Sequence, residues 1–139
     1  MIRKASLNDL QAIFEVENDN FTPEDFGLSR ESIRYHLKRN IVYVIEEQGK
    51  VAGYCLWLSR KHFYRLYSIA VLKTYQGKGY GKALLEHSIQ NLYGKPLQLE
   101  VKCTNIQAIS LYEKLGFKQV KLLPHYYPKG IDGCLMRLS

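Results

Sequence analysis

Residues 63 to 101 narrow the possible folds more than any other stretch of the chain. Phe63 to Leu72 reads as a strand, Tyr80 to Leu92 as a helix and Leu97 to Val101 as a second strand. A helix placed between two strands is a crossover, and a crossover joins strands that run parallel. The link into the helix is Gln76-Gly77-Lys78-Gly79-Tyr80-Gly81-Lys82. Glycines at alternate positions leave backbone N–H groups with no Cβ in front of them. The helix start adds orphan N–H donors and a partial positive charge. Lys78 and Lys82 add full charge, so the segment reads as a seat for a phosphate or diphosphate.

Three known loops could produce such a run. A Walker loop needs Ser or Thr after Gly-Lys, and Ala83 follows Gly81-Lys82. A dinucleotide fingerprint needs a third glycine, and Lys82 stands there; starting the pattern at Gly79 fails at Leu84. The pattern Gln/Arg-x-x-Gly-x-Gly/Ala is met by Gln76, Gly79 and Gly81.

A chain of 139 residues suits one domain, here residues 1–139, with one core. Its composition is that of a soluble globular protein, with no apolar run long enough to span a membrane and no apolar signal core behind Arg3-Lys4. The expected location is the cytoplasm. Cys55, Cys103 and Cys134 are odd in number and scattered, which argues for reduced thiols rather than disulfides or a metal site. The histidines have no ligand spacing, and Trp57 reads as core. The net charge of +7 includes a central cluster of Arg60, Lys61, Arg65, Lys73, Lys78 and Lys82. Nucleic acid could attract it, but the cluster brackets the glycine loop, so a polyphosphate ligand is the stronger reading.

The remaining pattern gives the order βααβββαβαββ, a mixed α/β sheet with helices on both faces. Ile2 to Ala5 is a first strand. Ser6-x-x-Asp9 is a variant capping box before a helix with Leu10, Ile13, Phe14 and Val16 on one stripe. Asn18 to Gly27 reads as a loop. Ser29 caps a second helix bearing Ile33 and Leu37. Ile41 to Glu46 and Val51 to Leu58 form a hairpin about Gln48-Gly49-Lys50. Gly94-Lys95-Pro96 closes the third helix. Phe117 to Leu122 and Gly133 to Leu138 are final strands, joined by a loop containing tyrosine and proline.

The last helix, Asn105 to Leu115, carries its own signals. Asn105 suits the N-cap, Gly116 the C′ position, and Phe117 at C″ should touch Tyr112 at C3. Asn105 and Tyr112 lie nearly two turns apart, about 10 Å along the axis, and share one face. Both could address one extended ligand, or Tyr112 could be a core residue with its hydroxyl at the rim.

Asn-x-x-Ala-x-x-x-Tyr-x-x-x-Gly-Phe, met by Asn105, Ala108, Tyr112, Gly116 and Phe117, resembles the final motif of the GNAT superfamily of N-acetyltransferases. The loop pattern on Gln76, Gly79 and Gly81 resembles the acetyl-CoA loop of the same superfamily. Leu99-Glu100-Val101, Tyr126-Tyr127-Pro128 and Asp132-Gly133 resemble the bacterial ribosomal-protein alanine N-acetyltransferases. The likeness runs from about Ser68 to Leu138; before it, only Phe21-x-Pro23 matches. The chain departs from the pattern at Leu72-Lys73-Thr74, at Gly77 where Arg is common, and at Glu24-Asp25 where a tryptophan is usual.

The resemblance implies a GNAT fold with the fourth and fifth strands splayed. It implies acetyl-CoA as cosubstrate, without a metal, and transfer to the α-amine of a protein or peptide. Coenzyme contacts fall to Ile69, Ala70, Val71, Gln76, Gly77, Lys78, Gly79, Tyr80, Gly81, Lys82, Asn105 and Tyr112. Glu100 is the expected base, through water or in a partly desolvated site, because a free glutamate near about 4.3 is a weak base at neutral pH. A cross-strand ion pair with a lysine is its alternative role. Tyr112, a phenol near about 10, is the expected acid. Phe21, Glu24, Tyr126 and Tyr127 are expected to meet the acceptor. The rival readings are a small-amine acetyltransferase, a non-catalytic acyl-CoA-binding module and a nucleic-acid module; the sequence leaves the oligomeric state open.

Overall fold

The computed structural model describes residues 1–21 and 27–139. The elements come in the expected order: β1 (Ile2–Lys4), α1 (Leu10–Asn20), α2 (Arg30–Arg39), β2 (Ile41–Glu47), β3 (Lys50–Ser59), β4 (Tyr64–Val71), α3 (Tyr80–Asn91), β5 (Leu97–Lys102), α4 (Ile106–Lys114), β6 (Lys118–Tyr127) and β7 (Ile131–Leu138). This is a mixed α/β fold. The chain divides into two compact units, residues 1–59 with 67–91 and residues 60–66 with 92–139.

In the first unit the strand order is β1-β2-β3-β4. β2 and β3 are an antiparallel hairpin in the register Val42↔Leu56 and Val44↔Tyr54. Both faces of the hairpin are covered. One side packs Val42, Val44, Tyr54, Leu56 and Leu58 against Ile13 and Val16 of α1 and Ile33 of α2. On the other, the buried Trp57 indole donates to Ser88 Oγ of α3 at 2.9 Å, and Tyr43 meets His87 edge-on. Alternate residues thus serve opposite helical layers, which is why β3 is apolar almost throughout.

Ser6 and Asp9 form the capping box, with Ser6 N–H donating to Asp9 Oδ2 at 2.8 Å. It heads a 3-10 turn, Leu7–Asp9, and α1 proper begins at Leu10. The helix runs on to Asn20, where the polar run beginning at Asn18 suggests a loop. Tertiary bonds outweigh that local signal: Asn20 Nδ2 donates to Val16 O at 3.0 Å and to Val71 O at 2.9 Å.

In the second unit β4, β5, β7 and β6 lie side by side. β4 and β5 are parallel, in the register Tyr64↔Leu97 and Arg65↔Gln98, as the crossover requires. β7 pairs antiparallel with both β5 and β6. β6 corrects the sequence expectation of a strand ending at Leu122, since it continues to Tyr127. Its ladder to β7 jumps from Leu123↔Gly133 to Tyr127↔Ile131, so extra residues bulge out of β6. His125 takes φ +52°, and its N–H donates to Asp132 Oδ1 at 2.9 Å, which secures the bulge. Pro124 is tolerated because β6 is an edge strand.

α4 ends as its sequence indicates. Phe117 N–H donates to Tyr112 O at 3.0 Å and Gly116 N–H to Glu113 O at 3.0 Å, the paired bonds of a Schellman motif. The Phe117 and Tyr112 rings meet edge-on. Gly116 sits at φ +103°, and a Cβ there would lie 3.0 Å from Leu138 Cδ1. Gly116→Ala should therefore cost about 1–2 kcal/mol, the penalty of a left-handed L-residue. Urea melts check this, and an unchanged midpoint would contradict it.

Candidate active site

The first unit supplies the glycine segment. Lys73–Tyr75 form a 3-10 turn after β4, and Gly77 and Gly79 each take φ +82°. These two positions need glycine for their backbone. Gly81 does not have a positive φ, and a Cβ built on it meets nothing within 4 Å. The helical ladder of α3 begins with Ala83 N–H donating to Gly79 O at 3.0 Å. The amides of Tyr80, Gly81 and Lys82 come before that bond, as the orphan donors of a helix start must. The residues from Gln76 to Gly79 are exposed. Lys78 Nζ lies 5.3 Å from the Tyr75 ring centre, and the Tyr75 and Tyr80 rings stack.

The loop is braced from behind. Gln76 Nε2 donates to Asn20 Oδ1 and to Val71 O, each at 3.0 Å. Lys73 N–H donates to Asp19 Oδ2 at 2.7 Å. The side chain of Gln76 is thus committed to joining α1, the end of β4 and the loop. Ala70 is buried, while Ile69 and Val71 are half-buried. Gly53 lets β3 approach this stretch, since a Cβ there would stand 2.9 Å from Ala70 O.

Sequence reasoning missed a buried acid in this unit. Glu17 is 3% exposed and accepts Leu28 N–H at 2.7 Å and the Tyr54 hydroxyl. Tyr54 Oη also lies 2.7 Å from Ser68 Oγ, next to Ile69. Burial, then Glu17, pushes the Tyr54 phenol upward. The polar signal of Glu17 on α1 was visible, but a buried partner on another element was not. Phe21 ends α1 and is partly exposed. Glu24 lies outside the described residues.

The second unit holds the other candidates. Glu100 points from β5 to Arg65, whose Nε lies 3.0 Å from both Oε1 and Oε2 and whose Nη2 also donates to Oε1. The side chains are 10% and 31% exposed respectively. The pair is the cross-strand contact allowed for Glu100, made by arginine rather than lysine. It removes Arg65 from the basic cluster assigned to the loop. Tyr126, at the bulge of β6, donates its hydroxyl to Glu100 Oε1 at 3.1 Å. Tyr127 meets Tyr126 edge-on and lies under Lys102. Arg65, Glu100, Tyr126 and Tyr127 are thereby brought together.

Tyr112 is half-buried on α4. Asn105 caps that helix, its Oδ1 accepting Ala108 N–H at 3.2 Å, which leaves its amide NH2 free of the cap. Burial raises the Tyr112 phenol, and burial then Glu100 raise Tyr126. Tyr127 is pushed up to about 12 by burial and then Glu100, and burial pushes the Cys55 and Cys134 thiols up to about 11. A folded value above the unfolded one gives stability that is full below the unfolded value and lost as pH rises through the folded one. Stability should therefore hold between about pH 7.5 and 8.5 and fall from about 9 to about 12. Urea melts across that range check the sign, and a rise above pH 9 would contradict it.

The acetyltransferase (GNAT) family pattern matches residues 9–117, beginning well before the motifs visible by eye. An N-alpha-acetyltransferase of Sulfolobus acidocaldarius is 35% identical over 97% of this chain and 89% of its own. The crystal structure of the ribosomal-protein-S18-alanine N-acetyltransferase of Escherichia coli is 31% identical, with TM-score 0.86 over 99% of this chain and 92% of that one. A protein of Salmonella typhimurium solved with its cofactor acetyl-CoA is 25% identical, with TM-score 0.83 over 100% of this chain and 92% of that one. The chain belongs to the GNAT family of acetyltransferases, and its activity class is N-acetyltransferase. No helix among the described residues is long and apolar enough to cross a membrane.

Proposed function

We propose that residues 1–139 act as one domain that moves the acetyl group of acetyl-CoA to the α-amine of a protein or peptide N-terminus. Glu100 carries this reading: it is a half-buried carboxylate bonded to a tyrosine at the bulge of β6 and flanked by a second tyrosine. The name of the Sulfolobus relative supports the α-amine. The loop supports the coenzyme, because Gly81 leaves open a space that the fold itself does not use.

In this reading the amides of Gly77, Lys78, Gly79, Tyr80, Gly81 and Lys82 hold the diphosphate, with charge from Lys78 and Lys82. Gln76 braces the loop through its side chain. Ile69, Ala70 and Val71 offer main-chain donors to the thioester carbonyl and its oxyanion. The Asn105 amide NH2 and Tyr112 hold the pantetheine arm. The acetyl group comes from the thioester. The neutral amine nitrogen bonds to the carbonyl carbon, Glu100 accepts through water the one proton that nitrogen then sheds, and the carbon–sulfur bond breaks. Tyr112 protonates the departing thiolate, since a phenol carries its proton at neutral pH. Phe21, Glu24, Tyr126 and Tyr127 receive the acceptor.

Mass spectrometry after incubation with acetyl-CoA, unblocked peptides and a panel of small amines tests the reading. Acetylation at peptide α-amines is expected. Preference for a polyamine, an amino acid or an aminoglycoside would replace the acceptor, and no transfer to any amine would overturn the function.

A further inference from the structure

Glu100 is not an isolated charge. Both of its oxygens face Arg65 Nε at 3.0 Å, Oε1 takes a second Arg65 bond, and Tyr126 donates to the same oxygen at 3.1 Å. The register Arg65↔Gln98 explains the meeting: Glu100 lies two residues beyond Gln98, on the same face of β5. The next position on that face, Gln98, is also engaged, accepting Arg137 Nη2 at 3.1 Å. The carboxylate charge is therefore matched inside the protein by a side chain that cannot lose its proton.

This matters for the acceptor. An unmatched carboxylate would attract a strongly basic ammonium ion and help to strip it. A matched one offers little of that attraction and favours amines that arrive already neutral. Near pH 7.5 about a quarter of α-amines are neutral, against about one in a thousand lysine ε-amines. Polyamines resemble lysine in this respect.

We propose that Arg65 is a specificity-determining residue: by pairing with Glu100 it restricts the acceptor to weakly basic α-amines and excludes lysine ε-amines and polyamines. The proposal rests on the reading of Glu100 as the base. It goes beyond that reading by assigning the discrimination to a residue on β4.

The test compares kcat/KM for three acceptors: an unblocked peptide without lysine, an N-blocked peptide with one internal lysine, and spermidine. The proteins are the wild type, Arg65→Gln, Arg65→Lys and Glu100→Gln. The wild type should favour the α-amine by at least about 100-fold, the order set by the neutral fractions. Arg65→Gln should lower that ratio by about 10-fold or more, while Arg65→Lys, which keeps the charge but loses the two-pronged contact, should lower it by less than Arg65→Gln does. An unchanged ratio in Arg65→Gln would overturn the proposal. Undiminished turnover in Glu100→Gln would instead overturn the reading beneath it, so the two failures are distinct.

A measurement on the wild type alone guards against a variant that does not fold. Between pH 8 and 9 the lysine-peptide rate should rise about tenfold and the α-amine rate by less than about twofold, following the neutral fractions. A lysine-peptide rate flat across that range would overturn the proposal.

Discussion

Glu100→Gln should lower kcat/KM for an N-terminal peptide by about 10²–10³-fold, within the range that general-base catalysis contributes. Glutamine keeps the length and the carbonyl oxygen, so Arg65 and Tyr126 retain an acceptor. It cannot take the proton of the amine. The loss should fall on kcat, because the acceptor contacts proposed for Tyr126 and Tyr127 would remain. It should exceed that of Tyr126→Phe, which removes a donor to the carboxylate and leaves the base in place. Steady-state kinetics at saturating acetyl-CoA check this, and activity within threefold of the wild type would remove Glu100 from the mechanism. Circular dichroism separates a chemical loss from a folding loss.

Gly81→Val should weaken acetyl-CoA binding by about 30-fold or more while leaving the free protein as stable as before, within about 0.5 kcal/mol. The reason lies in what the position does not touch. Gly81 lacks the positive φ of Gly77 and Gly79, and a Cβ there meets nothing within 4 Å. The fold makes no demand for glycine at this position, and under the proposed function the open space is where the coenzyme approaches the amides. A branched side chain fills that space. A 30-fold loss corresponds to about 2 kcal/mol. Calorimetric titration with acetyl-CoA measures it, and an affinity unchanged beside an intact fold would move the diphosphate elsewhere.

The order of elements and the Schellman end of α4 were legible because each rests on local chemistry. Gly116 and Phe117 announce their own bonds, and strand–helix–strand spacing forces the parallel pair. What stayed hidden depends on register. Arg65 read as one more cation beside the loop, and only its pairing with Gln98 across β4 and β5 brings it to Glu100. Glu17 was likewise an ordinary helix acid until Tyr54 and Leu28 enclosed it. The bulge on β6 was hidden by Pro124, which reads as a loop residue but is compatible with an edge strand. Gln76 matched the motif, yet its side chain braces the loop from behind.

The most direct test of the account is a ¹H–¹⁵N spectrum of the labelled protein titrated with coenzyme A and, separately, with pantetheine, which lacks the diphosphate. The amides of Gly77, Lys78, Gly79, Tyr80, Gly81 and Lys82 should shift with coenzyme A, saturably, and should stay in place with pantetheine. Saturable binding of coenzyme A that leaves those six amides unmoved would contradict the claim that this loop holds the diphosphate.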